Sequence, residues 1–239
     1  MSTLDVPIHS NSFVLWTDSL GNPLFQQDGT IFTLQQSIVL DSFNSTLFDG
    51  SGNPISSPFF FELLPNEIFD GGDHQIQITN NSDIKGLFHV SDSNNESLDK
   101  NNRPIIQNTH ISLNNSQIGP FSGSLVRQDV TFCHVRQCSL RGNVDGPSSG
   151  GLLGAYLGKG GNCLVERCFI RGNILGSGSG GICGSNGGEQ GYLQCKDCFV
   201  EGDCIGVLSG GICGTVTSFD GTSDIQTCYY RGNLLGDGA

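Results

Sequence analysis

Charge is scarce in this chain, and positive charge is scarcest. Only 14% of the 239 residues are Asp, Glu, Lys or Arg, and 11 bases face 23 acids for a net charge of −12. No stripe of Lys and Arg exists to neutralise a phosphate backbone, so nucleic acid is excluded as a partner. Hydrophobic residues make up 36% of the chain, and no run approaches the roughly 18 apolar residues of a membrane-spanning helix. The start, Met1 to His9, lacks a basic segment followed by an apolar one. A classical secretory leader is therefore not expected, and the expected address is an intracellular reducing compartment or a virion. Sustained 3.6-residue periodicity is also missing. Cysteine is absent from the first 130 residues, and only 9 of the 35 glycines lie there.

What is present is a repeat. Cys138, Cys168, Cys198 and Cys228 recur every 30 residues without slippage, and Gly142, Gly172, Gly202 and Gly232 keep the same interval. So do Gly146, Gly176, Gly206 and Gly236, and the triplets that begin at Ser149, Ser179 and Ser209. A strict period of this length means stacked supersecondary units. Frequent glycine disfavours helix, at about 1 kcal/mol for each interior position. Each unit reads as three short strands. One starts at Cys168-Phe-Ile-Arg, a very small one is Ser179-Gly-Gly-Ile-Cys-Gly, and the third is Tyr192-Leu-Gln-Cys-Lys. The expectation is an all-β fold, a right-handed parallel β-helix with about 30 residues per coil. Glycines at its corners would supply positive φ, and like residues would stack about 4.8 Å apart.

The period is regular over 131–239 and drifts over 66–130, where 91–104 reads as a polar loop. Residues 1–65 do not repeat and are expected to form an N-terminal β cap, with Phe59-Phe-Phe61 packing on the first coil. At the other end the final coil is incomplete, which reads either as a fragment or as an edge that something covers, with end-to-end self-association as one candidate.

The elements Gly150-Gly-Leu-Leu-Gly154, Gly180-Gly-Ile-Cys-Gly184 and Gly210-Gly-Ile-Cys-Gly214 each follow a Gly-Asn or Gly-Asp step. Together they resemble GLUG-type repeats, with Ile68 to Ile76 and Gly86-Leu-Phe88 similar to the opening coil before such arrays. The resemblance spans about residues 66–239. It implies a right-handed parallel β-helix of the pectate-lyase-like kind, as found in large surface proteins, adhesins and viral proteins. It carries over no catalytic residues.

Candidate chemistry is sparse. Cys195-x-x-Cys198 with Cys204 has zinc-like spacing. However, position 195 is Val135, Val165 and Ile225 in other units, which marks a small buried apolar slot. The column Cys138, Cys168, Cys198 and Cys228 reads as a buried stack of free thiols. Disulfides within it are disfavoured, because in-register parallel side chains do not converge easily. Arg141, Arg171 and Arg231 share a column with Glu201, which can pair with two of them. Phe169, Phe199 and Tyr229 form either an outer aromatic ladder open to sugar stacking or a buried corner. Asp70, Asp73 and His74 hold the carboxylates that glycoside hydrolysis needs, or else the Asp-Gly turn of a corner. No cofactor or metal is expected. The pattern favours a non-catalytic structural or interaction protein with a protein or glycan partner. A carbohydrate-binding or carbohydrate-cleaving β-helix is the alternative.

Overall fold

The computed structural model describes residues 6–41, 47–54, 59–90, 101–215 and 220–238. The expected polar loop falls largely on 91–100, outside the described residues. Apart from the short helix Ser10–Phe13, all regular structure described is β, and it is arranged in largely parallel sheets.

The first sheet has seven strands, all parallel: Ile38–Asp41, Gln75–Thr79, His110–Asn114, Ser139–Arg141, Phe169–Arg171, Phe199–Glu201 and Tyr229–Arg231. The second sheet runs through Ile31–Leu34, Ile68–Asp70, Ile105–Gln107, Phe132–Arg136, Asn162–Glu166, Tyr192–Lys196 and Thr222–Gln226. Phe25–Asp28 closes its N-terminal edge as an antiparallel hairpin strand. In both sheets the last four strands pair with a 30-residue offset, so Phe169 lies opposite Phe199 and Val165 opposite Cys195. A third array begins as the parallel strands Val6–His9, Phe59–Leu63 and Phe88–Val90. It continues as single bridges from Phe88 to Val126, Leu153, Cys183 and Cys213.

The Ser-Gly-Gly segments were expected to form strands, and they make bridges instead. Inter-repeat hydrogen bonds are still present, such as Ile182 N to Ile212 O at 2.8 Å and Gly180 N to Ser149 O at 3.0 Å. The chain there folds back on itself too tightly for an extended run. A Cβ on Gly180 would lie 2.2 Å from the Cys183 carbonyl oxygen.

One corner differs from expectation, whereas Gly142, Gly172 and Gly202 after the first sheet do take positive φ, between 147° and 157°. Between the two large sheets the left-handed residues are Asn108, Gln137, Arg167, Asp197 and Thr227, with φ between 48° and 55° and no glycine among them. Most of the periodic glycines serve a different need, which is close approach. A Cβ on Gly176 or Gly206 would meet the carbonyl oxygen of the glycine one repeat earlier at 2.1 Å. Gly172 combines both demands, with φ +157° and only 1.9 Å to the Gly142 oxygen.

The strand order of the repeat, second sheet then first sheet then third array, is already present in Ile31–Leu34, Ile38–Asp41 and Phe59–Leu63. The three arrays therefore already include strands from residues 31–63. At this end the core is aromatic. Phe13 packs edge-on against Phe25, Phe32 and Phe61 with centroids 5.0–5.2 Å apart, and Trp16 sits 5.4 Å from Phe61. Of the expected Phe59-Phe-Phe61 contact, the Phe61 side chain is described and is fully buried. Further along, the core narrows to Ile, Val, Leu and Cys. In the last repeat Ile225 is 48% and Leu234 57% exposed, whereas Cys195 and Cys204 one repeat earlier are sealed. No described helix is long and apolar enough to cross a membrane.

Gly172→Ala is expected to destabilise the protein by about 3 kcal/mol or more, because the clash is with backbone that cannot move. Gly160 has φ +66° and nothing within 4 Å, so Gly160→Asn should cost less than about 1 kcal/mol. Urea denaturation midpoints of the two variants check this, and equal midpoints would contradict it.

Candidate functional site

The first sheet carries the most ordered set of outward side chains. Each of its last four strands is three residues long, and the middle residue points inward: Leu140, Ile170 and Val200 are completely buried. The flanking residues point outward, as period-2 alternation requires. Phe169, Phe199 and Tyr229 thereby stack in a column, with centroids 5.2 Å apart and ring planes 7° and 10° from parallel. Phe169 and Phe199 are half-buried, and Tyr229 is exposed. The rings lie face against face, so it is mainly their edges that reach solvent. A sugar-stacking platform needs open ring faces, and this ladder covers most of its own.

Beside it runs the charged column. Arg141 and Arg171 are cross-strand neighbours, and Glu201 follows between Arg171 and Arg231. The Arg171 Nε donates to Glu201 Oε2 at 2.9 Å and its Nη2 lies 2.8 Å from the same oxygen, while Arg231 Nη1 stays 3.7 Å from Oε1. The Arg171 guanidinium also sits 5.4 Å over the Phe169 ring. These pairs are exposed, and each is worth less than about 1 kcal/mol. Glu201 interrupts what would otherwise be a column of like charge.

The thiol column does more than fill space. Cys138, Cys168 and Cys198 are almost fully buried, and Cys228 is partly so. Cys138, Cys168 and Cys198 each aim Sγ at the carbonyl oxygen two residues earlier, at 3.3 Å. Cys228 does the same at 3.4 Å. That carbonyl sits just before the left-handed corner residue. Thr109 occupies the same slot one repeat before Cys138, and its hydroxyl donates to the Gln107 oxygen at 2.8 Å. The position selects a small side chain with a weak donor, not simply a small hydrophobe.

The remaining candidates resolve into structure. Asp70 Oδ1 accepts from Gly72 N at 2.9 Å and Asn108 Nδ2 at 3.0 Å, and Oδ2 accepts from Gln107 Nε2 at 2.7 Å. Partial burial raises its pKa, but these hydrogen bonds and nearby Arg136 outweigh burial and hold it below the usual carboxylate value. An acid pinned in its ionised form is a corner clamp and a poor proton donor. Asp73 is a largely exposed left-handed residue 3.5 Å from His110, and His74 is partly exposed at the same turn. Cys195 and Cys204 are sealed in the core, Cys195 paired across strands with Val165 and Ile225 and Cys204 with Ile174 and Leu234, and no cluster able to hold a metal occurs among the described residues. On the second sheet His134 Nε2 lies 3.1 Å from Glu166 Oε2. Burial dominates there, and together with Arg103 and Arg136 it outweighs the carboxylate and lowers the His134 pKa.

Two surface features were missed in the sequence. Leu175, Ile205 and Leu235 are 40%, 44% and 62% exposed and recur at the 30-residue interval, one step after the buried Ile174 and Cys204. The repeat itself held that signal. Lys85, Phe121 and Arg127, with Asp83, Ser122 and Gln128, line an open hollow of about 420 Å³. Spacing gives no hint of it, because the 27 residues between paired Val126 and Leu153 depart from the regular interval.

No protein-family model matches the chain, and no curated protein or solved structure matches it.

The histidines set a pH dependence. Burial lowers the pKa of both His89 and His134 below the ordinary 6.5. The unfolded chain therefore takes up protons first as pH falls, so their contribution is complete above about pH 6.5 and declines below it. Asp70, also lowered, adds a loss of the same sign at more acid pH. Stability measured by urea melts should fall between pH 7.5 and 5.5, less steeply in His134→Gln. A rise on acidification would contradict these directions.

Proposed function

We propose that the chain is a right-handed parallel β-helix of GLUG-type coils. In this reading it works as a structural and interaction protein, a surface or virion-associated component that presents a rigid flank to a protein partner and performs no catalysis. The observation that carries this reading is the paired outward ladder on the first sheet. Phe169, Phe199 and Tyr229 stack in one column, and Arg141, Arg171, Glu201 and Arg231 form the next. Such columns set side chains at strand spacing on a surface that cannot relax, so a partner with matching spacing loses little conformational entropy on this side of the interface. The basic column in an acidic protein favours a partner surface with acidic side chains.

The carbohydrate alternative gains less support. The aromatic faces cover one another, and Asp70 is held by its own turn and by Gln107 and Asn108.

A photoreactive benzoylphenylalanine placed at Phe169, in a native host extract, should cross-link to one discrete protein. The same residue at Leu164, on the outer face of the second sheet, should not. Arg171→Glu should weaken the cross-link from position 169. No product from 169, or equal products from both positions, would contradict the assignment. Polysaccharide cleavage that Asp70→Asn abolishes would establish the alternative.

A further inference from the structure

The ten cysteines fall into different environments. Those of the corner column turn their sulfurs toward backbone carbonyls. Cys133 and Cys163 add a direct thiol–thiol contact, although Cys163 also faces the Val130 and Thr131 oxygens at 3.6 and 3.7 Å. They lie directly opposite each other on the paired strands Phe132–Arg136 and Asn162–Glu166. Both are completely buried, and their Sγ atoms are 3.0 Å apart. The expectation that in-register parallel side chains do not converge fails at this pair. Adjacent strands are about 4.8 Å apart, which is within the Cα separation of about 4.4–6.8 Å that a disulfide accepts. The next residues in the same column are Leu193 and Ser223, so no third thiol follows in register.

We propose that Cys133 and Cys163 are a disulfide-forming pair, which joins neighbouring repeats when the chain folds in the presence of a small-molecule disulfide such as oxidised glutathione. One protein thiol loses its proton, and its thiolate attacks a sulfur of the oxidant. The oxidant's S–S bond breaks, and one glutathione thiolate leaves and takes up a proton. The second protein thiolate then attacks the protein-bound sulfur of the mixed disulfide. That forms the Cys133–Cys163 bond and expels the second glutathione thiolate, which is protonated in turn. Two cysteines are oxidised and one glutathione disulfide is reduced.

Timing follows from burial. With both sulfurs sealed, the oxidant reaches them only before neighbouring repeats close over the core. Contact with Cys163 and burial also push the Cys133 thiol well above its ordinary pKa, so little thiolate exists once folding is complete. The bond would thus record the redox state of the compartment in which the chain folded. It would not respond to later oxidation.

The test is to refold the reduced full chain in a mixture of reduced and oxidised glutathione. Intact mass and non-reducing peptide mapping then read the product. The expected result is a loss of two hydrogens and one cross-linked peptide pair containing residues 133 and 163. Reduced protein that is already folded should stay unlinked at these positions in the same buffer. Cys133→Ser should abolish the linkage and Cys138→Ser should leave it. Mapping of the wild-type chain keeps the proposal falsifiable even where a variant does not fold. Refolded protein without the bond, or a dominant bond joining other cysteines such as 138 and 168 or 183 and 213, overturns it. Equally fast linkage in the folded protein overturns the sealing argument.

Discussion

Backbone resting directly on backbone is the constraint from which the rest of this structure follows. A Cβ on Gly172, Gly202 or Gly232 would meet a carbonyl oxygen of the preceding repeat at 2.0 Å or less. Only glycine permits that approach, and the approach lets neighbouring repeats exchange backbone hydrogen bonds at many points among the described residues. Examples are Gly142 N to Arg171 O at 3.0 Å, Ile174 N to Asp203 O at 2.8 Å and Ile182 N to Ile212 O at 2.8 Å. Side-chain hydrogen bonds run the opposite way between the same repeats. Asn143, Asn173 and Asp203 each accept the backbone N–H of the residue 30 positions later at 2.9–3.0 Å.

Columns are the consequence. Once the offset is fixed, every position repeats its environment, and chemistry appears as ladders rather than as converging sites. Inward columns must hold small or medium apolar side chains, which is why Val165, Cys195 and Ile225 substitute for one another. Outward columns are limited by contact with themselves, so Phe stacks on Phe and Glu201 separates two arginines. A surface built this way suits recognition by shape and spacing. It is poorly suited to a pocket that collects unlike groups from different directions.

The period, the buried thiol column, the charged column and two of the three strands per repeat were legible in the sequence, because each is a periodic property of residue type. The bridges at Ser179-Gly-Gly were not legible as such, because glycine does not reveal how sharply the chain turns back. The corner was misassigned for a related reason. Gln137, Arg167 and Thr227 carry no signature of left-handed backbone, and it is the hydrogen-bonded surroundings that impose it. The repeat order over residues 31–63 was hidden because that stretch has neither the glycines nor the cysteines of later repeats, and aromatic packing holds it instead. The Asp70 clamp depends on Gln107 and Asn108, which are brought near only by stacking. The Cys133–Cys163 contact depends on side-chain direction, which spacing does not encode.

In-register stacking is tested most directly by one distance. Nitroxide labels attached through unnatural amino acids at Ser112 and Arg231, which occupy one outward column of the first sheet, should lie four strand spacings apart. Their backbones are then about 19 Å apart, and double electron–electron resonance should return a single narrow distribution near that value, broadened only by the label arms. A broad distribution, or one centred beyond about twice that separation, would show that the repeats do not stack in this register.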